Sequence, residues 1–183
     1  MSPRGARAAL ALVLGSAVVV AISGCGTVPG TGQTLPVASI GPAMTVSPAV
    51  NQTRVALVGA FAGHDLVLTD TQSPVRPVEA PLLTAAPRAV YQVNLPKDPQ
   101  KGYIVVYEFS DLSRAATAAA EEQTYLATGP ARVQTPPGTV TIIRQVGATI
   151  VLYAWLPAAA LDAAAPGIQA ALESLGIGFP VPN

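Results

Sequence analysis

Alternating apolar and polar residues predict β-strands in the middle of the chain. From Ala89 to Leu95 apolar residues alternate with mostly polar ones, as in a strand with one buried face. The run from Tyr103 to Phe109 is apolar on both faces, which predicts a central strand. The turn-forming residues Pro96–Gly102 lie between these two strands, so we expect them to pair antiparallel. Two further strands, Thr139–Val146 and Thr149–Trp155, are predicted to form a hairpin.

Three other segments have helical periodicity. The segment Ser47–Gly63 opens with a Ser-Pro pair, typical of a helix start, and closes on a glycine that predicts its end. An alanine-rich helix is predicted over residues 110–128, ending at Gly129–Pro130, because its apolar residues recur at helical spacing. Pro157–Leu175 is predicted to be helical in two pieces, broken at its internal proline. A short strand is predicted at Leu66–Thr69.

These elements predict one α+β domain over residues 47–178, followed by an extended tail at 179–183. Its antiparallel sheet would have four to five strands, with helices packed on one face. Residues 73–87 hold four prolines and are predicted to form an irregular connection. A right-handed crossover from the strand at Tyr103 through the alanine-rich helix to the strand at Thr139 would give a ferredoxin-like split arrangement.

The N-terminal residues have the composition of a secretory signal. Met1–Arg7 carries two arginines and no acidic residue, and Ala8–Ile22 has no charge. A basic flank before an apolar run of about 7–15 residues is the pattern of a signal peptide. Because a membrane-spanning helix needs roughly 20 apolar residues, a permanent span is the weaker interpretation.

The apolar run ends in the motif Ile22-Ser23-Gly24-Cys25. This motif resembles the lipobox of bacterial lipoproteins, in which an aliphatic residue and two small residues precede an obligatory cysteine. The resemblance implies that the lipoprotein signal peptidase recognises Ile22, Ser23 and Gly24 and removes residues 1–24. It also implies a diacylglyceryl group on the Cys25 thiol, and two acyl chains anchor a protein stably. The alternative is an ordinary secretory signal with an incidental cysteine.

A tether is predicted between the lipidated cysteine and the domain. Residues 25–46 are rich in Gly, Pro and Thr and contain no charge, so we expect a flexible segment without regular structure. An ordered arm packed on the domain is the alternative. The resemblance to lipoproteins implies a lipid anchor on the outer, extracytoplasmic face of the cell membrane. Gly26 stands where enteric lipoproteins retained in the inner membrane have Asp, so an outer membrane remains open.

The composition excludes several classes of function. The chain has 183 residues, of which 11% are charged, with ten basic and ten acidic side chains. This balance provides no basic patch for nucleic acid. A single His and a single Cys cannot form a Cys/His zinc site, which needs four ligands, and one Cys forms no internal disulfide.

Few residues are candidates for catalysis. His64 next to Asp65 could act as a general base oriented by a carboxylate, but no Gly-x-Ser-x-Gly elbow supplies a nucleophile. A histidine at a helix end near the negative pole of the dipole is the favoured interpretation. Glu121 and Glu122 point about 100° apart on a helix, so we expect a solvated helix face rather than a shared site.

Two other groups of residues are candidate binding sites. Oxygen ligands for a cation could come from three acidic residues around one loop, but their spacing matches no calcium loop. Five aromatic residues lie on two predicted strands and could form either a ligand-binding face or the buried face of the sheet, of which the buried face is favoured. The acidic residues are Asp65, Asp70 and Glu79, and the aromatic residues are Tyr103, Tyr107, Phe109, Tyr153 and Trp155.

The sequence therefore predicts a non-catalytic surface lipoprotein, without cofactor or metal. Its partners would be membrane lipid, through the acylated Cys25, and an envelope protein, wall polymer or small ligand. The alternative from a different class is a small envelope hydrolase or metal-dependent enzyme built on His64 and Asp65.

Overall fold

The centre of the domain is a six-stranded antiparallel sheet with the strand order β1-β2-β3-β5-β4-β6. The computed structural model describes residues 46–182, so the predicted signal peptide, Cys25 and the predicted tether up to residue 45 lie outside the described residues. The strands are β1 (Leu68–Asp70), β2 (Arg88–Val93), β3 (Tyr103–Glu108), β4 (Val140–Val146), β5 (Thr149–Trp155) and β6 (Ile177–Pro180). The predicted α+β class and the antiparallel sheet are confirmed, and the sheet has more strands than the four to five predicted.

Five α-helices accompany the sheet within the described residues. They are α1 (Pro48–Ala62), α2 (Pro81–Ala85), α3 (Leu112–Ala127), α4 (Gly129–Gln134) and α5 (Ala165–Glu173), with a 3₁₀ turn at Pro157–Ala159. No helix among residues 46–182 is both long and apolar enough to cross a bilayer.

The two longest helices begin at capping side chains. The Ser47 hydroxyl accepts a hydrogen bond from the Val50 N–H at 3.2 Å, and Pro48 occupies the first turn. The Asp111 carboxylate accepts from the Arg114 N–H at 2.8 Å. Each cap satisfies a backbone donor that the first turn leaves without a helical partner.

Strands β3 and β4 form a split β-α-β unit. Both strands pair antiparallel with β5, which lies between them, so they run parallel to each other. Helices α3 and α4 connect them, as the predicted split arrangement requires. The rest of the sheet differs from a ferredoxin-like fold, because β2 lies beside β3 and the last strand, β6, pairs with β4. Phe179, predicted in the tail, pairs with Ile143 in this edge strand.

Helices cover both faces of the sheet, whereas the sequence predicted one covered face. Ile104 and Val106 of β3 pack in a core cluster with α1 and α5. Val105 and Tyr107 of the same strand pack in a second cluster with α3 and α4. The physical reason is the apolar character of β3 on both faces, because an apolar sheet face is stable only when another layer covers it.

Two short helices occur where the sequence predicted none. Helix α2 lies in the proline-rich connection, and Pro81 in its first turn has the φ angle that a helix start requires. Helix α4 begins where α3 was predicted to end. There Gly129 has a φ of +57°, and Pro130 then occupies the first turn of the new helix. Prolines that end one helix can therefore start the next.

Candidate functional site

A cleft opens in the middle of the sheet, where β3 and β5 separate. Their ladder runs from the pair Glu108–Thr149 to the pair Val105–Leu152. It stops there, although β3 begins two residues earlier and β5 continues to Trp155. The cleft between the separated ends has a volume of about 250 Å³. This is just below the 300–1,000 Å³ that is typical of small-ligand sites.

Peptide groups of both strands border this cleft. The Val93 N–H donates to the Gly102 carbonyl at 2.9 Å, so even-numbered residues of β3 direct their backbone groups to β2. The Tyr103 peptide groups therefore point to β5. The Phe109 N–H donates to the Ala148 carbonyl at 2.9 Å, which fixes the same alternation on β5 and directs the Ala154 peptide groups to β3. Tyr103 and Ala154 thus face each other beyond the end of the ladder.

The cleft is lined mainly by apolar side chains. Val105 and Leu152, the last ladder pair, lie at its base, and Trp155 and Leu156 line one wall. The Trp155 ring stacks on Tyr153 with 6.5 Å between ring centres. Trp155 is also the only tryptophan of the chain, so its fluorescence reports on this site alone.

Two aspartates hold the outer wall of the cleft in place. Oδ2 of the buried Asp98 accepts hydrogen bonds from the N–H groups of Leu161 and Asp162, at 2.6 and 3.1 Å. Asp162 in turn accepts from the Lys97 N–H at 2.9 Å. The Lys97 and Ala164 N–H groups lower the pKa of Asp162. These reciprocal bonds join the turn before β3 to the segment after the 3₁₀ turn, two segments more than sixty residues apart.

Lys101 supplies a positive charge at the mouth of the cleft. It is exposed and lines the cleft, and among residues 46–182 it forms no salt bridge. The Gln92 amide donates to the Lys101 carbonyl at 3.0 Å and to the Pro99 carbonyl at 2.8 Å. The backbone that carries the lysine is therefore fixed to β2.

Gly102 allows the chain to turn into β3 at the cleft. Its φ is +78°, and a Cβ atom there would lie 2.5 Å from the Val93 carbonyl oxygen. Only glycine combines this backbone conformation with such a close approach. The residue therefore sets where β3 starts and where the cleft begins.

A second site, which is polar, is buried on the sheet face that α3 covers. The Tyr107 hydroxyl donates to Oε1 of Glu79 at 2.6 Å. Arg76 and Arg88 each lie 3.4 Å from the same carboxylate, whose side chain is only 4% exposed. Burial and the contact with Glu79 raise the pKa of Tyr107. Glu79 is thus a buried charge compensated by three partners.

Glu122 lies next to this site and is fully buried, so the prediction of a solvated helix face is wrong for it. Its Oε2 accepts from the Ala80 N–H at 2.6 Å, whereas Oε1 has no hydrogen-bond partner in the described part of the chain. Burial raises its pKa to about 7. The signal was present in the sequence, because Glu122 lies at helical spacing from the buried Ala115, Ala118 and Leu126.

The structure does not join the predicted catalytic or cation-binding residues into a site. His64 and Asp65 are exposed after α1, and neither side chain makes a hydrogen bond to another described residue. Asp70 pairs with Arg54 through bonds of 2.9 and 2.7 Å, whereas Glu79 pairs with Arg76 and Arg88. Within residues 46–182, no group of three His, Cys, Asp or Glu side chains could hold a metal ion.

The five aromatic residues do not form one cluster. By strand alternation Tyr103, Tyr107 and Phe109 lie on the sheet face towards α3, whereas Tyr153 and Trp155 lie on the face towards α1. Tyr107 and Tyr153 are buried, as favoured by the sequence. Tyr103 and Trp155 reach the cleft from opposite sides because it cuts through the sheet.

The residues of the lipobox motif, Ile22, Ser23, Gly24 and Cys25, lie outside the described residues. Comparison of the chain with models of protein families, with curated proteins and with solved structures gives no match.

Proposed function

We propose that this protein is a non-catalytic, lipid-anchored binding protein on the outer face of the cell membrane, which takes a small ligand in the cleft between β3 and β5. The observation that carries the binding function is the cleft itself. It is largely apolar, it opens at an interruption of the central ladder, and a few polar groups border it. These are the properties of a small-ligand site.

The position of the cleft relative to Val46 is compatible with an anchored binding function. Val46, the first described residue, shares a surface groove with Pro87, Arg88 and Glu108. Glu108 is the last residue of β3, and the cleft lies at the other end of this strand, roughly 20 Å away for six residues. A flexible tether joined at Val46 would therefore attach at the end of β3 opposite the cleft and would not cover it.

The anchor is tested on the full-length protein expressed in a bacterium with a lipoprotein pathway. Membrane and soluble fractions are compared for the natural chain and for Cys25→Ser, and the mass of the N-terminal peptide is measured. We expect the natural chain in the membrane fraction, with a lipid adduct on Cys25, and the variant in the soluble fraction. Equal partitioning of both proteins without an adduct would overturn the anchor.

The cleft is tested with 1-anilinonaphthalene-8-sulfonate, an anionic fluorescent probe whose aromatic rings bind in apolar sites. We expect saturable binding with energy transfer from Trp155. Ala159 lines the cleft, whereas its neighbour Ala158 is exposed outside it, so the two alanines of the same 3₁₀ turn form a matched pair. Ala159→Phe should abolish probe binding and Ala158→Phe should leave it unchanged. Equal binding by both variants, or no binding by the natural protein, would contradict a binding cleft.

A further inference from the structure

The cleft has the backbone geometry to pair with an extended peptide. The Tyr103 and Ala154 peptide groups point at each other where the ladder has ended, so each strand offers a donor and an acceptor to a segment inserted between them. Proteins that bind peptides by adding a strand to a sheet use this kind of main-chain pairing. A ligand with amide groups therefore fits the cleft better than a hydrocarbon does.

The charge at the cleft selects one end of a peptide. Oδ2 of Asp98 already accepts hydrogen bonds from two backbone N–H groups of the outer wall of the cleft. Lys101 forms no salt bridge with any described residue and lies two residues before Tyr103. Of the two charged side chains that line the cleft, Lys101 is thus the one without a partner among the described residues, and its positive charge favours a carboxylate over an ammonium group.

The volume of the cleft limits how much of a peptide can enter. About 250 Å³ admits the end of a chain but not a long segment. Trp155 and Leu156 offer an apolar wall, so an apolar last side chain would lose contact with water there. The small Ala154 leaves room beside them.

We infer that the cleft captures the C-terminal end of an extended peptide with an apolar last residue. Its α-carboxylate pairs with Lys101, its last amide pairs with the facing peptide groups of Tyr103 and Ala154, and its last side chain packs on Trp155. This inference rests on the proposed binding function and gives the ligand its chemical class.

The experiment titrates three tripeptides into the protein and follows Trp155 fluorescence. The probes are acetyl-Ala-Val-Leu as the free acid, its C-terminal amide, and the free acid methylated on the leucine nitrogen. We expect the free acid to bind and both modified peptides to bind about tenfold more weakly. The amide lacks the negative charge that pairs with Lys101, and the methylated peptide lacks the N–H that pairs with the strands. The affinity of the free acid should fall with added salt.

The chain offers a matched control for the charge. Lys97 and Lys101 are its only lysines, and Lys97 does not line the cleft. Lys101→Gln should lower the affinity for the free acid to that for the amide, and Lys97→Gln should leave it unchanged. Equal affinity for acid and amide would overturn the carboxylate assignment. If the naphthalene probe binds and no tripeptide does, the peptide inference fails while the proposed binding function stands.

Discussion

The hydroxyl of Tyr107 in β3 donates a hydrogen bond of 2.6 Å to Oε1 of Glu79, a carboxylate of the proline-rich connection. Both side chains are buried, and the bond fixes the connection to the centre of the sheet. A hydrogen bond to a charged group contributes more than a neutral one, because a buried carboxylate without its donor remains poorly solvated.

Tyr107→Phe should therefore destabilise the domain by about 1.5–3 kcal/mol in urea unfolding, the range for hydrogen bonds to charged groups. Tyr153→Phe is the matched control. Tyr153 is equally buried on the other face of the sheet, and its hydroxyl makes no hydrogen bond to a described residue. We expect the control variant to unfold at nearly the same urea concentration as the natural protein. Equal losses in both variants would show that the Glu79 contact adds nothing.

Glu122 should make the stability of the domain fall as the pH rises. Burial, with smaller contributions from the nearby carboxylates of Glu79 and Glu121, raises its pKa from 4.5 to about 7. The folded protein thus holds a proton that the unfolded chain releases above pH 4.5. The contribution is fully present below pH 4.5 and is lost by about pH 7, a change of about 3 kcal/mol.

Glu122→Gln should remove this pH dependence, because the amide is neutral and its oxygen can still accept from the Ala80 N–H. We expect the variant to be more stable than the natural protein at pH 8 and similar to it at pH 4.5. Unfolding curves across this range provide the measurement. Glu121→Gln is the control on the same helix and should keep most of the natural slope, because the Glu121 charge raises the pKa of Glu122 less than burial does. A natural protein whose stability is flat between pH 4.5 and 7 would contradict the prediction.

Gly102→Ala should damage both the fold and the cleft. The backbone there is left-handed, and the new Cβ would meet the Val93 carbonyl oxygen at 2.5 Å. Gly147 has a similar φ of +59° with nothing within 4 Å, so Gly147→Ala measures the conformational cost alone, about 1–2 kcal/mol. Gly102→Ala should cost clearly more and weaken binding of the naphthalene probe. Equal losses would mean that the chain relieves the contact by moving.

Asp98 and Asp162 should act as one unit in holding the wall of the cleft. Each bonds to backbone N–H groups of the segment that carries the other. Asp98→Ala and Asp162→Ala should each destabilise the domain and weaken probe binding. The double variant should lose less stability than the sum of the two single losses, because one break already frees the segments. Strictly additive losses in a double-mutant cycle would show that the two sets of bonds are independent.

The local pattern predicted most elements of the fold, because apolar periodicity and caps are local properties. The hairpin of β4 and β5 and the start of α1 at Ser47 follow directly from it. The apolar residues on both faces of β3 also implied two covering layers, although the prediction placed helices on one face. The charge of Glu122 predicts a solvated position, whereas its place in an alanine stripe at helical spacing favours the burial that is observed.

The cleft could not be predicted from the sequence. It exists because the ladder between β3 and β5 ends at Val105 and does not include the first two residues of β3. The turn at Pro96–Gly102 and the segment after Pro157 both line the resulting space. The Asp98 contact that joins these segments spans more than sixty residues. A local sequence pattern carries no information about a contact between residues so far apart in the chain.

The two edge strands of the sheet, β1 and β6, determine whether neighbouring copies of this domain can pair through their backbones. Strand β1 has only three residues, and β6 ends in Pro180, whose nitrogen carries no proton. Neither flank offers a long row of free peptide groups to which a neighbouring molecule could add. The domain can therefore be crowded on a surface at high density without polymerising edge to edge.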